Sequence, residues 1–228
     1  MHALPIFGMI LAFAAPSKAV ILSPISATAS SEFDSTFSIN NTINQSGLSS
    51  TFNSGVDDFD AYIGTNPTHT AIAPGFEWFT SSGVTSAIVN YDLGAIYSVD
   101  KFALWNEESS GIGKFDLYAS KDGSSFISLL TGVSPFDNPL YASFSYPAEV
   151  FEFGKSVNAR FFKFSIYDSP QPDPGSFNGA AIGEIAFNVN PVPGPLPILG
   201  VAAVFGYSRK IRKRLKDSKT PDIMSAIT

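Results

Sequence analysis

The amino-acid sequence predicts an all-β domain, a sandwich or a barrel, on three observations. Its 228 residues include 21 phenylalanines and are 44% hydrophobic, enough to build the packed core of one domain. Several short segments are rich in aromatic and β-branched residues, and each is bounded by Gly, Ser, Asp, Asn or Pro. No long segment has the periodicity of an amphipathic helix. Many short strands separated by turn residues are typical of β-sandwiches and barrels.

The first 19 residues are predicted to be a signal peptide. An apolar stretch covers residues 3–15, and Ser17 and Ala19 are the small residues that a signal peptidase accepts just before its cut. We therefore expect export and cleavage after Ala19. A buried N-terminal helix over residues 6–14 is the alternative interpretation.

Five segments have the composition of strands: residues 87–93, 101–106, 114–120, 160–167 and 184–189. In the fourth, Phe162, Phe164 and Ile166 fall on one face, which predicts a strand with one buried face. The stretch SKDGSSF supplies a turn in which Gly123 is free to take a positive φ. Residues 114–130 are therefore predicted to form a hairpin.

The charge distribution separates the body of the chain from its tail. Residues 20–190 contain 18 Asp and Glu against six Lys and Arg, whereas residues 209–219 hold seven basic residues. An acidic body repels phosphate backbones and so disfavours nucleic-acid binding, but it is compatible with divalent cations or neutral glycans. The chain has no cysteine, which excludes disulfides, thiolate metal sites and a cysteine nucleophile.

The tail combines an apolar run with a basic cluster. Residues 196–207 form 12 apolar-rich positions, which as a helix would span roughly 18 Å, short of a hydrocarbon core of roughly 30 Å. A basic cluster follows at once, as in a stop-transfer segment. Its members are Arg209, Lys210, Arg212, Lys213 and Arg214. A basic solvated helix is the alternative interpretation.

The order of proline cluster, apolar run and basic cluster over residues 191–216 resembles the C-terminal sorting signals of the PEP-CTERM class, which exosortases of Gram-negative bacteria handle. Pro193, Gly194 and Pro195 stand in the place of the Pro-Glu-Pro tripeptide, and VPGPLPILG is similar to a variant among cyanobacterial members. The resemblance implies transient anchoring in the inner membrane, processing by an exosortase-like protease, and delivery to the cell surface or extracellular matrix. Residues 217–228 are a polar tail.

The region between these flanks, residues 20–190, resembles the discoidin family, also called F5/8 type C. The resemblance is carried by the order of ISATASSEF, EWFTSSG, IVNYDLGAIYSVDKFALW, FDLYASKDGSSF, ARFFKFSIYDS and AIGEIAFNV. It implies a galactose-binding-like jelly-roll β-sandwich. In the family, loops at one end of the sandwich bind glycans, lipid headgroups or proteins, and the fold alone does not choose among them.

Local features disfavour catalysis. A Ser-His-Asp triad would depend on His69 alone, which we interpret as a loop residue, because His2 lies in the signal. Glu107 and Glu108 would point to opposite faces if the strand before them continued. Glycoside hydrolysis needs two carboxyls that face each other roughly 5 to 9 Å apart. We interpret the pair as solvated loop charge, and a hydrolase is the least favoured class.

Two tryptophans are candidates for stacking on a sugar ring, because an apolar sugar face packs well on an indole. Burial in the core is the alternative for both. After Trp105, Asn106 and Glu107 lead into the next loop. The predicted ligand-binding residues are Trp105, Asn106, Glu107 and Trp78.

The discoidin resemblance also implies a structural Ca²⁺, held by an early loop and by a Glu at the start of the last strand. The matching residues are Asn44 in TINQSG and Glu184 in IGEIAF. Asn44 stands where an Asp is commoner, so one charged ligand is lost and a weak site or none is expected.

Together these features predict a non-catalytic exported surface or matrix protein that binds carbohydrate, an exopolysaccharide. A structural or adhesion protein that contacts other proteins without specific glycan binding is the alternative.

Overall fold

The computed structural model describes residues 18–70, 74–138, 145–172 and 175–192. Within these ranges, 3₁₀ turns lie at Ser35–Phe37 and Ile39–Ile43, and a short helix, α1, spans Phe59–Ile63. The strands are β1 (Val20–Leu22), β2 (Ser26–Ala29), β3 (Thr68–Thr70), β4 (Trp78–Phe79), β5 (Ala87–Asn106), β6 (Lys114–Ser120), β7 (Ile127–Val133), β8 (Ser145–Pro147), β9 (Glu149–Tyr167) and β10 (Ala181–Pro191).

Two long strands, β5 and β9, build the sandwich by contributing to both of its layers. They pair antiparallel from Ala87 with Ile166 to Leu104 with Glu149, and the register shifts after Asp92 and again after Val99. The first part of β5 pairs with β2, and the second part pairs with β10, which also pairs with β1. The second part of β9 pairs with β6, which pairs with β7.

Phenylalanines fill the space between the two layers. The ring of Phe102, in the second part of β5, lies 5.3 Å from that of Phe164 and 6.1 Å from that of Phe115, both in the other layer. The rings of Phe162 and Phe187 lie 4.6 Å apart across the same space. All five are fully buried. The predicted jelly-roll β-sandwich is confirmed by these layers.

A second core covers the outer face of one layer. Side chains alternate along β5, so Ala103 and Trp105 point away from Phe102. They pack against the segment that contains α1, including Phe52, Phe59 and Tyr62. Strand-to-loop packing of this kind buries both faces of β5 near its end.

Most predicted strands appear where the sequence placed them. The alternation of buried residues at Phe162, Phe164 and Ile166 is confirmed, and so is the hairpin of β6 and β7, in which Gly123 has a φ of 76°. Residues 87–93 and 101–106 were predicted as two strands but belong to one, β5. Within the predicted gap, residues 97–99 pair with both β9 and β10, and this pairing continues the strand.

The predicted signal peptide, up to residue 17, and the predicted sorting signal, from Pro193 onward, lie outside the described residues. In the described part, β1 begins at Val20 and β10 ends at Pro191. None of the helices there has the length and apolar character needed to cross a membrane.

Candidate functional site

A pocket of about 280 Å³ opens where β5 ends, between the segment after β7 and the junction of β8 with β9. This volume lies at the lower end of the range for small-molecule sites. The lining residues are Leu104, Asn106, Phe136, Asn138, Pro147, Ala148 and Glu149.

The side chain of Asn106 holds the floor of this pocket in place. Its Oδ1 accepts from the backbone N–H of Ile112 at 2.7 Å, and its Nδ2 donates to Oε1 of Gln171 at 3.0 Å. Its backbone oxygen accepts from Nδ2 of Asn138 at 2.7 Å. The Nε2 of Gln171 donates to the backbone oxygens of Glu108 and Asn138. These three buried amides join the loop after β5 to the segment that carries Phe136.

The rim of the pocket combines an aromatic ring with a carboxylate. Phe136 is 61% exposed, and its backbone N–H donates to Oε2 of Glu149 at 2.6 Å. Partial burial raises the pKa of Glu149, although this hydrogen bond acts in the opposite direction. Among the described residues that line the pocket, Glu149 is the single ionisable one, and none is a Lys or Arg.

The two predicted stacking residues, Trp78 and Trp105, have no exposed surface. The indole N–H of Trp105 donates to the backbone oxygen of Pro67 and that of Trp78 to the backbone oxygen of Ser31, each at 3.0 Å. Their prediction as ligand-binding residues is wrong, because the segment around α1 covers Trp105 and the main core encloses Trp78. Of the predicted binding residues, Asn106 lines the pocket, although its side chain is itself buried.

Glu107 and Glu108 are buried as well, so their interpretation as solvated loop charge is wrong. β5 ends at Asn106, and a turn follows, so the alternation of a strand does not apply to the pair. The turn brings a carboxylate oxygen of each within 4.8 Å of one another and of an oxygen of Glu77, which directly precedes β4. Glu107 accepts hydrogen bonds from the backbone N–H groups of Ser109 and Ser110.

Further buried polar groups extend from Glu77. The hydroxyl of Tyr146 donates to Oε1 of Glu77 at 2.6 Å and lies 3.0 Å from Nδ1 of His69. His69 belongs to β3 and is fully buried, so its interpretation as a loop residue is wrong. Gly183 makes room for these groups, because a Cβ at that position would overlap the hydroxyl of Tyr146.

Burial shapes the protonation of this group of residues. It raises the pKa of Glu107 well above its ordinary value, and the charges of Glu108 and Glu77 raise it further. Burial lowers the pKa of His69, whose backbone hydrogen bonds oppose that shift. Because Glu107 has no exposed surface, it cannot reach a polysaccharide as a general acid in this arrangement.

The predicted calcium residues are Glu184, which lies in β10, and Asn44, which directly follows the 3₁₀ turn at Ile39–Ile43. Oε2 of Glu184 accepts from the backbone N–H of Gln45 at 2.8 Å, and its buried Oε1 has no hydrogen-bond partner. Oδ1 of Asn44 accepts from the backbone N–H of Ser46. Glu184 therefore offers one carboxylate oxygen to a cation, and Asn44 uses its side chain to close its own turn. Calcium at Glu184 stays a prediction.

The sequence patterns did not identify Phe136, Asn138, Glu149 and Glu77 as site residues. A signal was present for Phe136 and Asn138, since SPFDN places an aromatic residue among turn residues directly after a strand. The sequence signal for Glu77 is weaker: it is an acidic residue inside the aromatic stretch FEWF.

No family model matches the chain, and no curated protein matches it significantly. Similar solved structures include chitosan-binding module 1 of a chitosanase/glucanase from Paenibacillus sp. IK-5, with 15% identity, a TM-score of 0.47, and coverage of 73% of this chain and 95% of the module. The family 32 carbohydrate-binding module of Clostridium perfringens NanJ, in complex with galactose, has 15% identity, a TM-score of 0.46, and coverage of 75% and 98%.

A third similar structure is the family 32 module of AlyQ in complex with 4,5-unsaturated mannuronic acid, with 18% identity, a TM-score of 0.44, and coverage of 74% of this chain and 97% of the module. All three neighbours are carbohydrate-binding modules.

Proposed function

We propose that the chain is a non-catalytic, exported surface or matrix protein whose β-sandwich binds a polysaccharide in the pocket beside Phe136. The observation that carries the proposal is the pocket itself, which places an exposed aromatic side chain, Phe136, beside a rim carboxylate, Glu149, above a floor of buried amides. Sugar sites need both, an apolar surface for the ring face and polar groups at fixed positions for the hydroxyls.

The amide groups are fixed before any ligand arrives. Asn106 and Asn138 are held by the hydrogen bonds that link them to each other and to Gln171. Both side chains are buried, so they fix the shape of the pocket floor, and a floor that is already ordered loses little conformational entropy on binding. Phe136 is more than half exposed, so its side chain has surface to offer to a sugar without unpacking the core.

The charge of the pocket favours a neutral sugar over a uronate. Glu149 places a carboxylate at the rim, and no basic residue of the lining would balance a second one. A uronate held there would bring two like charges together in a partly desolvated site. The acidic body, with 18 acidic against six basic residues over residues 20–190, acts in the same direction.

Export and sorting belong to the same proposal. The predicted signal peptide and the resemblance of residues 191–216 to exosortase-dependent signals support delivery to the outside of the cell. A protein delivered there would meet the polysaccharides of the extracellular matrix, which we propose as its ligands.

The test is retention of the purified full chain on immobilised chitosan, galactan and alginate, which cover an amino, a neutral and a uronate polymer. We expect retention on galactan that is reduced roughly tenfold by Phe136→Ala, a loss of about 1.4 kcal/mol, and little retention on alginate. Absence of retention on all three polymers would favour the adhesion protein, and equal retention of Phe136→Ala would remove the pocket from the proposal.

A further inference from the structure

We propose that Glu77, Glu107 and Glu108 together bind one hard divalent cation of the size of Ca²⁺ inside the sandwich. The site is separate from the one predicted at Glu184, and it does not depend on the proposed sugar binding.

The distances among the three carboxylates suit a single ion. One oxygen from each lies within 4.8 Å of the other two. Two ligands on opposite sides of Ca²⁺ are separated by about 4.6 to 5.2 Å, since each Ca–O distance is about 2.3 to 2.6 Å. Three oxygens no farther apart than 4.8 Å share a point that lies within about 2.8 Å of each, so one ion can reach all three after side-chain shifts of a few tenths of an ångström.

An unsatisfied oxygen points to a missing partner at this place. Glu108 is 7% exposed, and its Oε2 is buried without a hydrogen bond. A buried carboxylate oxygen that lacks a partner is costly, and native structures rarely leave one in that state. It belongs to the same carboxyl group that approaches Glu77 and Glu107.

The protein supplies little positive charge of its own here. Among the described residues, no Lys or Arg forms an ion pair with Glu107 or Glu108. His69 approaches Glu77, with 3.8 Å between Nδ1 and Oε1. Even if protonated, His69 lies beside Glu77 and forms no ion pair with Glu107 or Glu108. A divalent cation together with that imidazole, or with one shared proton, would neutralise the group.

The chemistry of the ligands selects the kind of ion. All three groups are carboxylates, the hydroxyl of Tyr146 is a neighbour, and the chain has no cysteine. Oxygen ligands suit Ca²⁺, Mg²⁺ and Mn²⁺ rather than metals that prefer sulfur or nitrogen. Closed burial without an open position suits a structural ion.

A cation here would connect three parts of the chain. Glu77 directly precedes β4, Glu107 and Glu108 form the loop after β5, and Tyr146 lies in β8. Asn106, which lines the pocket, is the residue before Glu107. Binding would therefore order the loop on which the floor of the pocket is built.

The experiment compares the full chain with two glutamine variants, after removal of metals with EDTA. Glu108→Gln removes a proposed ligand, and Glu184→Gln removes the ligand of the other predicted calcium site, so the two variants together assign a calcium response to one place or the other. Metal content, calorimetric titration with CaCl₂, MgCl₂ and MnCl₂, and melting temperature are measured for each.

We expect the unmodified chain to bind Ca²⁺ and to melt at a higher temperature with Ca²⁺ than with EDTA. Glu108→Gln should bind Ca²⁺ at the cluster at least tenfold more weakly and lose most of this increase. In EDTA, Glu108→Gln should melt at or above the unmodified chain, because it removes a buried carboxylate oxygen that has no hydrogen-bond partner when the cation is absent. Glu184→Gln should keep a calcium-dependent increase.

Three results would overturn the proposal. One is the absence of binding of all three cations to the unmodified chain. Another is a calcium response that Glu108→Gln keeps in full. The third is a calcium response that Glu184→Gln abolishes and Glu108→Gln leaves unchanged, which would assign the ion to Glu184.

Discussion

The buried side chain of Asn106 forms several hydrogen bonds that hold the loop after β5. It holds the backbone of Ile112 with both its oxygen and its nitrogen and also donates to Gln171. Truncation would leave the buried amide of Gln171 without one of its partners. Each unsatisfied buried group costs about 1 to 3 kcal/mol.

We expect Asn106→Ala to lower both stability and sugar retention. The loss of stability should be about 2 to 4 kcal/mol, because several buried hydrogen bonds are lost at once. Thermal unfolding measures the first effect and galactan retention at a temperature where the variant is folded measures the second. An unchanged melting temperature would contradict the role of Asn106 in holding the loop.

The aromatic residues divide into two groups that can be separated by experiment. Phe136→Ala should change the melting temperature by less than about 2 °C, since an exposed side chain contributes little to the core. Trp105→Ala should lower stability by about 3 to 5 kcal/mol, because truncating a buried tryptophan leaves a cavity, and this corresponds to roughly 6 to 20 °C for a domain of this size. Comparable melting temperatures of the two variants would contradict the burial of Trp105.

For single residues, the sequence identifies which side chains could form a site, but it does not show whether those side chains are exposed. The two tryptophans were candidates for stacking on a sugar, with core packing the commoner fate of tryptophan in such a sandwich, and core packing is what the structure has. Nothing local shows that residues 48–63 fold over the outer face of β5. Likewise, the position at which β5 ends decides where Glu107 and Glu108 point, and that end is set by the partners of Asn106, which are distant in sequence.

At the scale of secondary-structure elements, one ion pair links the two long strands, β5 and β9. Nε and Nη2 of Arg160 donate to Oδ1 and Oδ2 of Asp92, each at 2.7 Å, and the N–H of Gly94 donates to the same carboxylate. The pair sits where the register between β5 and β9 shifts. Gly94 has a φ of 82°, which only glycine adopts readily, and this lets the chain turn there.

We expect Asp92→Asn to destabilise the domain by about 1 to 2 kcal/mol near neutral pH, since charge-assisted bidentate pairs are among the stronger hydrogen bonds. Hydrogen bonding with Arg160 lowers the pKa of Asp92, so the folded state favours the carboxylate. The stabilisation is therefore present above the unfolded pKa of about 3.9 and is lost as the pH falls through the folded value.

Melting curves of the unmodified chain and Asp92→Asn between pH 2 and pH 7 test this expectation. The difference between the two should be largest above about pH 5 and should shrink toward the acid end. A difference that is constant across the whole range would show that the carboxylate charge is not responsible.

The elements themselves were the most predictable part of the molecule. Alternation in residues 160–167 and the Gly123 turn are local signals, and both are present as predicted. No local sequence signal predicts that β5 is one continuous strand. Residues 94–100 contain Gly94 and Asp100, which favour a turn, and the chain does turn at Gly94. Residues 97–99 then pair with both β9 and β10, and this pairing continues the strand.

At the scale of the whole molecule, the acidic body and the basic tail have different physical roles. The 12-residue apolar run is several residues too short for a stable anchor, and Pro197 interrupts its first turn unless it begins the helix. With the basic cluster behind it, the run suits a transient stop in the inner membrane. We propose that this segment serves as an address for sorting.

We therefore expect the mature protein to be the acidic body alone, which begins near residue 20 and has a net charge near −12. The second cut should fall near Pro193 to Pro195, because prolines keep the backbone extended and accessible to a protease. Intact-mass analysis of the protein recovered from the cell surface or medium measures both ends. Replacing Pro193 and Pro195 by Ala should slow the cut, whereas Pro191→Ala, the matched control at the end of β10, should not. Recovery of the basic tail outside the cell would contradict processing, and a cytoplasmic product that still carries residues 1–19 would contradict export.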